Sequence, residues 1–289
     1  MTSNNSSSSI RIAFIGGGNM AAAIIGGLIN HNAKPDNILA IDPFPASRDN
    51  LSNTYKVRVA TDCESASNFL ATANLVIFAV KPQQFKEAAA QYKAAISSQL
   101  NNNAVAPLVL SIAAGIRLEN ISKWVGSDRV VRAMPNTPAL IGQGVTGLCS
   151  AQTLAKEDRQ LIETACSAIG KFVWVDKESL IDSVTAVSGS GPAYVFAFLE
   201  ALQAAGEAQG LSTEQAKVLA LETLVGSAAL AANSSDSPTT LREKVTSKGG
   251  TTFAALEVLR EKSWGETLKQ AIDAAAKRGE EMGREFGRD

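Results

Sequence analysis

From Ile10 the chain reads I-R-I-A-F-I-G-G-G-N-M-A, a short apolar run that breaks into glycines and resumes at helical spacing, with Met20, Ala23, Ile24, Gly27 and Leu28 on one face. This order of strand, tight turn and helix confines the fold more than any other stretch. Gly16, Gly18 and Ala21 fall on the positions of the G-x-G-x-x-G/A fingerprint. The first glycine permits the turn, the second lets a pyrophosphate touch backbone, and a small third residue lets helix and strand pack closely. The expectation is an α/β domain in which Ile15, Gly16, Gly17, Gly18, Asn19 and Met20 cradle a nicotinamide dinucleotide at a helix start.

The pattern then repeats. A second strand over 38–41 ends at Asp42, placed to accept from an adenosine ribose hydroxyl, while Ser47 and Arg48 just beyond suit a 2′-phosphate, so NADH and NADPH both stay open here. Further strands are predicted over 57–60, 75–80, 108–112, 130–134 and 172–175, with helices around 63–71, 84–97, 118–125 and 155–168. Such alternation means a mostly parallel, doubly wound Rossmann-type sheet that binds ligands at the carboxyl ends of its strands. Three of those ends carry Ala79-Val80-Lys81-Pro82, Ile112-Ala113-Ala114-Gly115 and Pro135-Asn136-Thr137-Pro138, which are expected around the cofactor. The plainer reading of their small residues and prolines is ordinary turn-making.

Past Val175 strand patterns stop and the rest reads as helices, over 192–207, 213–232, 238–246, 252–262 and 264–284. The expected organisation is a tail at 1–9, a nucleotide-binding domain at 10–175 and a helical domain at 176–289 for substrate binding and dimerisation. Ser188-Gly189-Ser190-Gly191-Pro192 opens the long helix, with a serine suited to its cap; Ser188 and Gly189 are read as a backbone surface near the nicotinamide and substrate. Further on, V-T-S-K-G-G-T-T-F-A-A-L sets Ser247, Gly249, Gly250, Thr251 and Thr252 before an apolar run, Phe253, Leu256 and Leu259. Glycines that let backbone approach a ligand, followed by free N–H groups of a first helical turn, make an anion site. The plain alternative is a helix capped by Thr251 or Thr252.

Composition excludes several functions. Lys plus Arg is 27 against 28 Asp plus Glu, a net charge of −1, so no basic field favours nucleic acid or a membrane surface. The single histidine, His31, rules out a His-rich metal site and makes a Ser-His-Asp triad improbable, and no metal is expected. Three widely spaced cysteines fit reduced thiols in the cytoplasm. No apolar run approaches the roughly 20 residues that cross a bilayer. The opening T-S-N-N-S-S-S-S lacks a basic region and an apolar core and is expected to be a mobile tail rather than a signal peptide.

Taken together, I-G-G-G-N-M, A-V-K-P, S-I-A-A-G, R-A-M-P-N-T-P-A, S-G-S-G-P-A-Y-V and Pro238-x-x-Leu241 leading into V-T-S-K-G-G-T-T-x-x-A-L resemble the pyrroline-5-carboxylate reductases, enzymes of the last step of proline biosynthesis. The resemblance runs from Ile10 almost to the end. Lys248 departs from it where many members have proline, and Lys244 where some have a neutral polar residue. It implies that Gly250, Thr251 and Thr252 hold the substrate carboxylate by their backbone, that the Thr252 hydroxyl bonds the ring nitrogen as the catalytic contact, and that Gly16 to Met20, Ala79 to Pro82 and Ile112 to Ala114 surround the cofactor. It also favours NADPH over NADH and implies a domain-exchanged homodimer, often assembled into decamers. A β-hydroxyacid dehydrogenase, the nearest rival, would carry a lysine early in the long helix, whereas P-A-Y-V-F-A-F-L-E-A-L has none.

Overall fold

A computed structural model describes residues 10–97 and 106–287; the expected tail at 1–9 lies outside them. The chain runs β1 (Ile12–Ile15), α1 (Asn19–Asn30), β2 (Ile38–Ile41), α2 (Pro45–Tyr55), β3 (Arg58–Ala60), α3 (Ser67–Ala71), β4 (Leu75–Phe78), α4 (Pro82–Ser97), β5 (Leu108–Ser111), α5 (Leu118–Val125), β6 (Val130–Met134), β7 (Gly144–Ser150), α6 (Lys156–Ser167) and β8 (Gly170–Trp174). The remaining elements are helices: α7 (Leu180–Val184), α8 (Gly191–Ala208), α9 (Thr213–Ala232), α10 (Pro238–Lys244), α11 (Thr251–Glu261) and α12 (Trp264–Phe286).

The described strands form one eight-stranded sheet in the order β3-β2-β1-β4-β5-β6-β7-β8. Only β6 and β7 pair antiparallel; the other pairs are parallel. The central strands I-A-F-I, I-L-A-I, L-V-I-F and L-V-L-S are buried along their whole length, as strands covered on both faces must be. One apolar layer against the sheet gathers Phe78, Phe85, Tyr92 and Ile121, the other Phe14, Ile24, Ile25 and Ile162. In register, Ile15 faces Ile41 and Phe78, and Phe78 faces Ser111, so four strands end flush. The turns that leave these four strands are thereby set side by side.

Three elements escape the sequence pattern: β7, α2 and the five-residue α7. β7 reads G-V-T-G-L-C-S, whose glycines look like a loop, yet a Cβ on Gly147 would lie 2.5 Å from Val184 Cγ1, so the glycine is what admits α7 against the strand. α2 hides behind Pro43 and Pro45 and buries only Leu51, leaving no apolar periodicity to read. A further difference concerns α9, which by length and composition alone is apolar enough to span a bilayer; 11% of that stretch is buried.

The contacts divide the described residues into two compact units, one running to Gly189 and resuming at Ala275, the other Ser190–Ala274. The division falls past the expected boundary near 175–178 because α7 is tied to the sheet. Arg132 of β6 reaches Glu178 (2.9 Å) and Asp182 (3.6 Å), Arg117 holds Asp182 (2.9 Å), and Glu178 caps α5 by accepting from Leu118 N–H (2.7 Å). The last turns of α12 belong to this unit too. Gly283 passes so near Arg117 that a Cβ would sit 2.7 Å from Nε, and Phe286 covers Gly115.

The second unit is helical. α8 and α9 pack where Gly206 meets Ala216, and α9 starts in a capping box of Ser212 and Gln215. Phe198 and Trp264 rings lie 6.3 Å apart. Its apolar side chains face outward to an unusual degree: Phe196 is 63% exposed, Leu230 59% and Leu219 55%, and the buried hydrophobic residues of the unit are Ala216 and Ala220. Exposed apolar surface on this scale marks an association face.

Candidate active site

The glycine turn forms because β1 ends against β4. Gly16 has φ +100°, and a Cβ there would stand 2.7 Å from Ala79 O, so no other residue fits. Gly16 N–H donates to Ile41 O (2.8 Å) and Ala79 N–H to Ile15 O (2.8 Å), while Ile112 N–H donates to Phe78 O (3.1 Å). These bonds bring Ile15, Gly16, Ala79 and Ile112 together at one edge, with Val80, Lys81, Pro82, Ala113 and Ala114 directly after them. Gly17 N–H donates to Asp42 Oδ2 (2.8 Å), and Phe44 N–H to Asp42 Oδ1 (2.9 Å). Asp42, 8% exposed, is therefore the post that holds the turn. Arg48 Nη1 donates to the Asp42 carbonyl (2.7 Å), and Ser47 sits beside it half-buried.

Above this turn α1 begins without a side-chain cap. Gly18 is its N-cap, nothing lies within 4 Å of where a Cβ would be, and the first intrahelical bond is Ala22 N–H to Gly18 O. The N–H groups of Asn19, Met20 and Ala21 precede that bond, at the positive end of the helix dipole. An uncapped helix start under open space, next to a glycine only a tight turn explains, fits a dinucleotide pyrophosphate.

At the end of β6 the structure shows a connection that the sequence did not announce. Asn136 Nδ2 donates to Ser188 O (3.1 Å) and its Oδ1 accepts from Val145 N–H (2.9 Å). Ser188 Oγ donates to Val184 O (2.9 Å), so the hydroxyl and the carbonyl of Ser188 are both engaged within the protein. Residues Thr185–Gly189 form a π-helical turn running into α8, and Ser190 makes no side-chain cap, contrary to the expected serine-capped start. The buried Arg132, 2% exposed, is a further residue that sequence reasoning passes over; an arginine inside V-V-R-A-M was the signal, since a buried charge must find partners.

In the second unit Gly250 caps α11 in extended conformation with no side-chain cap, so neither Thr251 nor Thr252 plays the plain capping role. Gly249 has φ +73° and Gly250 N–H donates to Ser247 O (3.0 Å), which folds the turn back on itself. The first intrahelical bond is Ala254 N–H to Gly250 O (3.1 Å), leaving the N–H groups of Thr251, Thr252 and Phe253 ahead of it. Both threonines are exposed. Phe253, Leu256, Leu259 and Trp264 behind them line a cavity of about 570 Å³ together with Arg242 and Arg260.

Thiol chemistry finds no support. Cys63, Cys149 and Cys166 are free and buried; burial, with Asp62 nearby, pushes the Cys63 thiol up to about 12, burial with Glu163 pushes Cys166 up to about 12, and burial raises Cys149.

Two family models match the chain, and their division falls earlier than that between the two compact units. A family model described as pyrroline-5-carboxylate reductase dimerisation matches residues 178–282, and one described as NADP oxidoreductase coenzyme F420-dependent matches residues 11–115. A pyrroline-5-carboxylate reductase from Pseudomonas aeruginosa is 41% identical over 279 residues, covering 96% of this chain and 98% of that protein. The structure of a pyrroline-5-carboxylate reductase from Coxiella burnetii superimposes with a TM-score of 0.87 at 37% identity, covering 95% and 98%. One from Plasmodium falciparum with NADP bound gives a TM-score of 0.79 at 30% identity, also covering 95% and 98%.

Proposed function

Because the chain belongs to the pyrroline-5-carboxylate reductase family, we propose that its two glycine turns divide one reaction between them, Ile15–Met20 holding the dinucleotide and Ser247–Thr252 the substrate. The protein reduces (S)-1-pyrroline-5-carboxylate at C5 to L-proline with NAD(P)H, the last step of proline biosynthesis. When bound, the reduced nicotinamide supplies the hydride.

The observation that carries the substrate assignment is the start of α11, where Gly249 and Gly250 clear side chains away and the N–H groups from Thr251 to Phe253 precede the first helical bond. There the N–H groups of Thr251 and Thr252 hold the substrate carboxylate, and Gly250, whose own N–H is given to Ser247 O, contributes a backbone clear of side chains. Thr252 Oγ accepts from the ring N–H of the protonated imine and so orients C5. The imine arrives already positive, and reduction leaves a neutral amine, so no strong acid has to be supplied. In the first unit Gly16 to Met20, Ala79 to Pro82 and Ile112 to Ala114 surround the cofactor. Asp42 spends both carboxylate oxygens on Gly17 and Phe44 while Arg48 stands beside it, which supports NADPH as the preferred nucleotide. The helical region builds a homo-oligomer through its outward apolar face; assembly into a decamer and residence in the cytoplasm are part of the proposal.

The test is Thr252→Ala, assayed by nucleotide oxidation with NADPH and NADH in parallel. Loss of one positioned hydrogen bond lowers turnover by roughly one to three orders of magnitude, with thermal stability and nucleotide binding kept. A fully active Thr252→Ala enzyme removes Thr252 from the mechanism.

A further inference from the structure

The asparagine of R-A-M-P-N-T-P-A sits at a strand end where a cofactor contact is the natural expectation. Its side chain is instead spent inside the protein. Nδ2 donates to Ser188 O at 3.1 Å and Oδ1 accepts from Val145 N–H at 2.9 Å, so one amide joins the loop after β6, the start of β7 and a turn 52 residues away in sequence. That turn has an unusual build. Thr185–Gly189 is π-helical, a conformation that is rare and concentrated at functional sites. Thr185 Oγ1 donates to Ile181 O (2.8 Å) and Ser188 Oγ to Val184 O (2.9 Å), so its hydroxyls all point back along the helix. On its other side a Cβ at Gly189 would lie 2.8 Å from Met134 Cε, so the main chain rests against the tip of the Met134 side chain, which has to turn aside to admit a methyl there. Asn136 thus ties the Ser188–Gly189 main chain by a hydrogen bond, and the Met134 methyl packs against it.

We propose that Asn136 is a positioning residue for the reductase reaction: it fixes the Ser188–Gly189 main chain at the end of β6, and it acts on the substrate through that turn rather than as a ligand of the nucleotide. This rests on the reading of Ser188 and Gly189 as substrate-binding. The amide is chemically particular, because it must donate to a carbonyl at one end and accept from an N–H at the other. Aspartate keeps the acceptor toward Val145 and sets an oxygen against Ser188 O. Alanine removes both.

The experiment compares Asn136→Asp, Asn136→Ala and Gly189→Ala in the full-length oligomer. It measures NADPH and NADH affinity by quenching of protein fluorescence without substrate, then kcat and KM for pyrroline-5-carboxylate at saturating nucleotide. Misplacement of the turn by a fraction of an ångström lowers kcat/KM for the substrate by about tenfold to a hundredfold. Nucleotide Kd stays within about twofold of the parent in all three, the level at which no bond to the nucleotide is lost. Gly189→Ala crowds the same turn from the Met134 side without touching Asn136, so it tests the substrate reading of the turn separately, and Asn136→Asp, which keeps the acceptor for Val145 N–H, carries the test of Asn136 where Asn136→Ala melts early. A tenfold rise of nucleotide Kd in Asn136→Asp overturns the proposal in favour of a direct cofactor contact. Unchanged kinetics in the Asn136 variants, with substrate use impaired in Gly189→Ala, overturns the positioning role and leaves the substrate reading of the turn standing. Unchanged substrate kinetics in all three overturns both.

Discussion

Replacing Arg132 with methionine removes a charge from a place where water cannot substitute for it. The side chain is 2% exposed, donates to Glu178 Oε1 at 2.9 Å and lies 3.6 Å from Asp182 Oδ1. Methionine fills similar volume, so the cost comes from the carboxylates left behind rather than from a cavity. Breaking a buried pair from one side costs about 3–5 kcal/mol. Two features place this case at the low end: Glu178 is 25% exposed and keeps the Leu118 N–H, and Asp182 keeps Arg117 at 2.9 Å. The expected loss is therefore about 3 kcal/mol, which at roughly 2–4 °C per kcal/mol lowers Tm by about 6–12 °C. Adding Glu178→Gln removes the less well compensated carboxylate while keeping an oxygen for Leu118 N–H, and recovers roughly half of the loss, about 1.5 kcal/mol. The assay is thermal unfolding by circular dichroism at fixed protein concentration, since assembly shifts Tm by mass action. Limited proteolysis over 176–189 reports the loosening of α7. A Tm within about 2 °C of the parent for Arg132→Met refutes the argument that this network holds α7 to the sheet, because less than about 1 kcal/mol would then be at stake.

Buried polar atoms lead to two more expected outcomes. Thr146 Oγ1 is buried without a partner, beside a void of about 10 Å³ lined by Ile24, Leu110, Ala133 and Cys166, where a water would find too few partners; Thr146→Val is expected to raise stability by about 1 kcal/mol in a denaturant titration, and a loss of stability would mean the hydroxyl is bonded. Cys63 and Cys166, both pushed from about 9 up to about 12 by burial, hold their protons in the folded state, so their contribution to stability is complete below pH 9 and is lost as pH rises from 9 toward 12. A thiol-specific chromogen at pH 8 accordingly labels these cysteines at the rate of unfolding; rapid labelling of the native protein would show the thiols to be open to solvent.

The features legible in the sequence were those that depend on neighbours in sequence. The four apolar strands around Ile15, Ile41, Phe78 and Ser111 announce themselves by composition, and once they are parallel and flush, the turns at Gly16, Asp42, Ala79 and Ile112 must meet. The helical periods over 192–207 and 213–232 fall on α8 and α9 for the same reason. Residues whose work depends on partners far along the chain were not legible. Arg132 finds Glu178 across 46 positions and Asn136 finds Ser188 across 52, and no local pattern encodes either bond. β7 was not legible for a related cause: Gly147 breaks its apolar pattern to make room for Val184, a neighbour in space alone.

The chemistry of the reaction can be argued from where the proton donors are spent. His31 lies at the C-terminal end of α1 with Nδ1 at 2.8 Å from Gly27 O, its ring turned to capping that helix. α1 has 12 residues, so His31 stands about 18 Å from the glycine turn at the other end. The cysteines are buried and protonated. Tyr194 opens α8, yet that helix carries no lysine or arginine to make a phenol acidic. A carbonyl substrate would need a proton donor at the reacting carbon to quench a developing alkoxide, and none of these groups is placed to give one. A pyrrolinium needs none, because it brings its own positive charge and ends as a neutral amine. On the proposed assignment, a turn that offers N–H groups for a carboxylate and a hydroxyl for a ring nitrogen is therefore matched to a cyclic imino acid, because the histidine, the cysteines and Tyr194 have no proton to supply.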